Sequence, residues 1–139
     1  MVASSKTTAN RYTYAYGRRK SAVATVKLFS KDGDSTVNTL PIAKYFASLR
    51  QENVCLLPFT ATNTVGKYHF IAKVVGGGKS GQSEALSLAI SRCLQKIDKV
   101  ANTPLLRQFS LLTVDSRVRE RRMIGTGGKA RRQKQSPKR

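Results

Sequence analysis

Residues 67–97, KYHFIAKVVGGGKSGQSEALSLAISRCLQKI, decide the fold, because their character changes once, at a run of three glycines. From Lys67 to Val75 the chain is rich in β-branched and aromatic residues and is bounded by Gly66 and by Gly76 to Gly78, which predicts a central strand. Beyond the glycines, Leu86, Ala89, Ile90, Cys93, Leu94 and Ile97 fall at i, i+3, i+4, i+7, i+8 and i+11. That is one apolar helical stripe, with Ser87, Ser91, Gln95 and Asp98 on the opposite side. A strand turning tightly into an amphipathic helix predicts a small mixed α and β domain.

Towards the N-terminus, Tyr12, Tyr14 and Tyr16 alternate with Thr13 and Ala15. A second β-prone run around Val26 and Leu28 follows a turn placed at Gly17 to Lys20, so two strands are expected. Lys31-Asp32-Gly33-Asp34-Ser35 is turn chemistry leading into a short run, Thr36 to Asn38. Leu40 to Leu49 suits a short helix starting at Pro41, and residues 53 to 66 are ambiguous. Towards the C-terminus, Pro104 is expected to open a helix holding Leu105, Leu106 and Phe109, and Leu111 to Val114 reads as a last strand.

The chain of 139 residues carries 26 Lys and Arg against 7 Asp and Glu, a formal charge of +19, and is 40% hydrophobic. One modest core can form, but the self-repulsion calls for a polyanionic partner, of which nucleic acid is the commonest. The surplus is uneven. Residues 115–139, DSRVRERRMIGTGGKARRQKQSPKR, hold ten Lys and Arg against two acids, have no aromatic residue, and after Ile124 have only Ala130 and Pro137 as apolar side chains. The expected organisation is a flexible N-terminus over 1–11, a globular domain over 12–114, and an extended basic tail over 115–139 that can reach roughly 80 Å.

Several classes of function lack support. No stretch approaches the roughly 18 apolar residues of a membrane span. The first ten residues lack the apolar block of a secretory signal, and the organised sequence starts too soon for their Ser and Thr content to read as a transit peptide. Cys55 and Cys93 read as reduced core residues; with His69 they fall one ligand short of a zinc site, and no metal is expected. Gly78-Lys79-Ser80 between strand and helix invites a P-loop reading, with Leu111 to Asp115 as a magnesium-binding strand. Lys73 stands where that loop needs glycine, so what survives is a seat for one phosphate beside Lys79 or, equally, a glycine turn needed for close packing. The acids are scattered, and Ser80, Ser83 and Cys55 have no positioned base. His69 reads as a sheet residue, so neither catalysis nor a cofactor is expected.

Two basic clusters remain. Arg18-Arg19-Lys20 lies close behind the three tyrosines, a combination able to clamp phosphates while a ring stacks on a base, although strand packing is the favoured reading for at least one tyrosine face. In the tail Arg117, Arg119 and Arg121 alternate, which in an extended chain sends them to one side. Composition alone fits a free histone-like nucleic-acid-binding protein as well; a membrane-active cationic protein is disfavoured because the tail has no apolar face.

YGRRKSAVATVKLF from Tyr16, KVVGGGKSGQSEAL from Lys73, and DSRVRERRMIG from Asp115 with KARR and a terminal Lys-Arg after it resemble the small-subunit ribosomal protein S-nine family, bacterial or organellar type, from Tyr16 to Arg139 in order and spacing. The resemblance implies an α+β fold: a small mixed sheet with helices on one face, like the second domain of ribosomal protein S-five, with a left-handed βαβ crossover. It also implies a place in the subunit head, on the 3′ major domain of the rRNA, among neighbouring ribosomal proteins and with no small-molecule substrate. A cytoplasmic bacterial-type ribosome is expected, an organellar one being the alternative. Carried onto this chain, it gives rRNA contact to Arg18, Arg19, Lys20, Arg117, Arg119, Arg121, Arg122, Lys129, Arg131, Arg132 and Lys134, with Lys79 as the further phosphate seat. Contact with P-site tRNA falls to Lys138 and Arg139. The chain departs from the family pattern at Met123, at the uncharged Gly125-Thr126-Gly127-Gly128, and at residues 133–139, which lack the usual aromatic.

Overall fold

The computed structural model describes residues 12–31, 33–128 and 130. Strands β1 (Tyr12–Arg19), β2 (Ala22–Phe29), β3 (Thr36–Val37) and β4 (Leu40–Pro41) precede helices α1 (Ile42–Tyr45) and α2 (Leu49–Ala61); β5 (His69–Val75), α3 (Lys79–Ile97) and α4 (Lys99–Gln108) follow. The five strands form one sheet in the order β1-β2-β5-β3-β4. All neighbours are antiparallel except β3 and β5, which run parallel across the connection that contains α1 and α2. The protein is therefore of the α+β class, with a mixed sheet.

Alternation separates the two sheet faces. Ala15, Ala22, Ala24, Val26, Leu28, Phe70, Ala72 and Val74 are buried on one face, against Leu86, Ala89, Ile90, Cys93 and Leu94 of α3. Phe59 of α2 reaches the same face and stacks on Phe70 with ring centroids 6.2 Å apart. The many alanines bring α3 close to the sheet. Gly17 brings it closer: it lies buried inside β1, where a Cβ would sit 2.7 Å from the Ala89 backbone nitrogen.

This corrects the expected turn at Gly17 to Lys20. The reversal is the two-residue Lys20–Ser21, with Lys20 at φ 54° and Arg19 paired to Ala22; the glycine serves helix approach. The expected helix from Pro41 is reduced to α1, because residues 36–41 form a hairpin turning at Asn38 and Thr39, both at positive φ. Asn38 then extends β3 with its side chain. Its amide donates to Val74 O and accepts from Val74 N, each at 2.9 Å, so it mimics a further ladder residue.

The ambiguous stretch from 53 lies mostly in α2, which accommodates Pro58. Helix α4 begins at Lys99 rather than Pro104, because the Asp98 carboxylate caps it by accepting from Ala101 N at 3.0 Å. Asp98 thus ends the preceding helix instead of lying on its polar side. Ser87 and Ser91, read as polar-side residues, are buried because α2 and α4 cover that side of α3. No strand forms at Leu111 to Val114: Ser110 (φ 54°) reverses the chain, and half-buried Leu111 and Leu112 pack on the core.

Both cysteines are buried and unbridged, and burial pushes each thiol up to about 12. Cys93 Sγ donates to Thr13 O at 3.5 Å, which ties α3 to β1. No helix of the described residues is long and apolar enough to cross a membrane.

Candidate nucleic-acid interface

At the β1–β2 turn Arg18 and Arg19 point apart because a strand sends neighbours to opposite sides, and Lys20 follows them in the turn itself. Arg18 and Lys20 are exposed, whereas the Arg19 side chain is only 12% exposed. All three guanidinium nitrogens of Arg19 are engaged. Nε donates to Glu84 of α3 at 2.6 Å, Nη1 to the Arg117 carbonyl at 3.2 Å, and Nη2 lies 3.0 Å from Asp115 Oδ2.

Asp115 is also the acceptor for Arg117. The Arg117 backbone N–H donates at 3.0 Å, and its guanidinium grips both carboxylate oxygens at 2.6–3.0 Å. These bonds from Arg117, with Arg19 adding to them, hold the Asp115 carboxyl well below the usual carboxylate range, and they raise Arg117 in turn. The result is a fork of two arginines on one carboxylate, the geometry that planar guanidinium favours. It fixes where residues 113–123, which carry no regular secondary structure, leave the domain.

Two adjoining grooves flank the turn. One of about 260 Å³ lies between Arg18, Lys20, Val114 and Ser116; the other, of about 560 Å³, lies between Lys20, Ser21, Arg117 and Arg119. Lys20 borders both. Its left-handed backbone conformation costs a non-glycine residue roughly 1 kcal/mol, a strain kept at a charged, exposed position. Arg119, Arg121 and Arg122 continue outward, exposed. Lys129, Arg131, Arg132, Lys134, Lys138 and Arg139 lie outside the described residues, as do residues 1–11.

Around the triple glycine, packing accounts for the conformation. A Cβ on Gly76 would sit 2.5 Å from Ser21 O and one on Gly77 3.0 Å from Ala22 Cβ, so these positive-φ residues let the start of α3 rest against the β1–β2 turn. The Lys79 ammonium is directed onto the Tyr45 ring, 3.3 Å from its centroid, and so is placed by a cation–π contact. His69 stacks on Phe29, with centroids 4.9 Å apart, and its Nδ1 lies 2.8 Å from Lys31 O. Among the described residues no group of three or more His, Cys, Asp or Glu is placed to hold a metal.

Glu84, the clamp's partner on α3, had no signal in the sequence, standing 65 residues from Arg19. Arg92 and Lys96 were likewise missed. They donate to the edge-strand carbonyls of Tyr16 and Tyr14, at 2.8 and 2.7 Å, and Arg92 also lies over the Tyr16 ring. Cations here cap the open edge of the sheet. A helical face of Arg92 and Lys96 four apart was the one visible hint.

A family model described as Ribosomal protein S9/S16 matches residues 17–139. Small ribosomal subunit protein uS9 of Leifsonia xyli is 44% identical over 125 residues, covering 90% of this chain and 74% of that protein. The uS9 of Dehalococcoides mccartyi is 42% identical over 116 residues, 84% and 87% of the two chains. That of Desulfotalea psychrophila is 43% identical over 115 residues, 83% and 88%. With the match spanning strands, clamp and basic segment alike, the chain belongs to the ribosomal protein S9/S16 family, structural and non-enzymatic constituents of the small ribosomal subunit.

Proposed function

We propose that the protein packs the rRNA of the subunit head, the 3′ major domain, through Arg18, Lys20 and the basic run from Arg117 to Lys134, and touches P-site tRNA with Lys138 and Arg139. The observation that carries this is the Arg19 clamp. By joining Glu84 to Asp115 and the Arg117 carbonyl, it brings the cationic turn and the root of the basic segment to one end of the sheet. Arg19 acts there as a positioning residue, while Arg18, Lys20 and Arg119 present charge to phosphate. Lys79 supplies a further phosphate contact on leaving the Tyr45 ring.

In this reading residues 12–114 are the folded unit, and the basic segment takes its path from RNA. The parallel β3–β5 pair with α1 and α2 between them is a crossover connection of the kind the family fold contains, and the left-handed sense is what the family resemblance implies for it. Neighbouring head proteins are the other partners, and the bacterial relatives support a cytoplasmic, bacterial-type ribosome.

The tRNA contact is tested by deleting Lys138 and Arg139. Purified small subunits should assemble yet bind P-site tRNA more weakly by about 1–3 kcal/mol, the scale of one or two charge-assisted contacts. Unchanged tRNA affinity together with failed assembly makes the tip an assembly element instead. Cofractionation with free nucleic acid rather than with small subunits would favour the histone-like alternative.

A further inference from the structure

The sheet face turned away from the helices carries side chains that, Arg18 apart, neither the clamp nor the cationic turn nor the basic segment uses. Strand register lays them out in rows across β1, β2 and β5: Tyr12, Phe29 and His69; Tyr14, Lys27 and Ile71; Tyr16, Thr25 and Lys73; Arg18, Val23 and Val75. Rows repeat about every 6.8 Å along the strands. No row contains an acid, three contain a cation, and no helix of the described residues covers them.

Tyr12, Tyr14 and Tyr16 are 48%, 47% and 52% exposed, and the three rings do not stack on one another. Tyr12 leans on Phe29 with Lys27 nearby, and Tyr16 carries Arg92. Among the described residues no ring or cation lies over Tyr14. Beside it a groove of about 540 Å³ runs over Lys27, Ile71 and Lys73, closed on one side by the Asn38–Thr39 turn.

We propose that this open face is a second RNA surface, on which an unpaired segment of rRNA lies with one base stacked on Tyr14 and its phosphates near Lys27 and Lys73. The charge decides the class of partner. An acid-free face with lysines between half-exposed rings repels another basic chain and suits a polyanion that also has flat apolar surfaces. A duplex offers phosphates but hides its base faces, so the rings favour an unpaired strand. The proposal rests on the rRNA reading above and adds to it a place and a strandedness.

The test uses the intact chain, whose five tyrosines and absence of tryptophan make its fluorescence a tyrosine signal. The probes are an oligoadenylate of about 12 nucleotides and an RNA duplex of the same length. The oligoadenylate should quench the share of the signal that Tyr14, one of the five tyrosines, contributes, and the duplex should leave it nearly unchanged, while the affinities of the Tyr14 variants are read from the anisotropy of end-labelled RNA. Tyr14→Thr, which suits a strand, should weaken oligoadenylate binding about 5- to 150-fold and leave duplex binding unchanged, whereas Tyr14→Phe should bind like the natural chain. Replacing Lys27 and Lys73 by Gln should lower the log-log salt slope for the oligoadenylate by about 0.7 per lysine.

Equal oligoadenylate affinity in Tyr14→Thr and the natural chain overturns the proposal, as does equal weakness in Thr and Phe. If duplex RNA binds and the Tyr14 face does not respond, only this proposal falls; if neither RNA binds, the rRNA reading falls with it. In assembled small subunits, Tyr14 should resist nitration until nuclease removes the RNA. Resistance that outlasts nuclease digestion would mean that protein covers the face, and would also overturn the proposal.

Discussion

The two faces of the sheet are built from the same strands, residue by residue in alternation, and they differ in size, charge and tolerance. The inner face uses Ala15, Gly17, Ala22, Ala24 and Ala72, small residues that let α3 approach until a single methylene is too much. The outer face uses Tyr14, Tyr16, Lys27 and Lys73, long residues that project. Arg18, Arg19 and Lys20 repeat the contrast within three positions: the middle arginine is engaged inside the protein, and its neighbours stay exposed. Proximity in sequence therefore says little about shared function when the backbone alternates.

The largest expected effect lies on the inner face. Gly17→Ala should cost more than about 3 kcal/mol in urea unfolding, because the added carbon meets the α3 backbone, which has no rotamer with which to yield. Tyr14→Thr, three positions earlier on the outer face, should change stability by no more than about 0.5 kcal/mol. Similar costs at the two positions would break the contrast between the faces.

Next comes the clamp. Arg19→Ala should leave the domain folded but free the root of the basic segment, so that trypsin cuts at Arg117 and Arg119 faster than in the natural chain. Arg19→Lys should restore little, since an ammonium cannot reproduce three directed contacts. Unaltered cleavage in Arg19→Ala would show that the contacts with Asp115 and the Arg117 carbonyl do not hold the segment.

The pH dependence sharpens the same comparison. Cys55 and Cys93 on the core side are raised from 9.0 to about 12 by burial, so the native thiols stay neutral where unfolded ones ionise. Stability should fall as pH rises above about 9 and level off above 12, and both thiols should resist iodoacetamide at pH 8 until urea is added. At the exposed clamp the sign is opposite. Asp115 is lowered, so its contribution is complete above the ordinary value of 3.8 and is lost only in stronger acid. The cleavage pattern around Arg117 should therefore stay constant from about pH 5 to 9. A small effect of opposite sign belongs to Lys20→Gly, which should relieve the positive φ and stabilise the domain by up to about 1 kcal/mol while weakening RNA binding.

What the sequence disclosed follows from how local each signal is. The strand within 67–75 was legible from its β-branched and aromatic residues between glycine breaks, and the helix from Leu86 because its apolar stripe repeats one period along its length. Helix α2 was hidden because Pro58 and the threonines around it are breaker and turn residues, tolerated only once Cys55 and Phe59 pack inward. Asn38 posing as a strand residue and Arg19 joining Glu84 to Asp115 depend on partners dozens of residues away, which no window can show. Of the candidate site, the charge of Arg18 to Lys20 was legible and its division of labour was not.

The central claim is that the outward cations bind rRNA and the inward one does not, and the salt dependence of binding tests it most directly. Isolated 3′ major domain rRNA is titrated with the full chain across a range of salt, with Arg18→Ala plus Lys20→Ala compared against Arg19→Ala. The expected result is a log-log slope shallower by roughly 0.7–0.9 for each outward cation removed and unchanged in Arg19→Ala, whose affinity falls without a change in slope. A slope unchanged in the double variant and reduced in Arg19→Ala would contradict it.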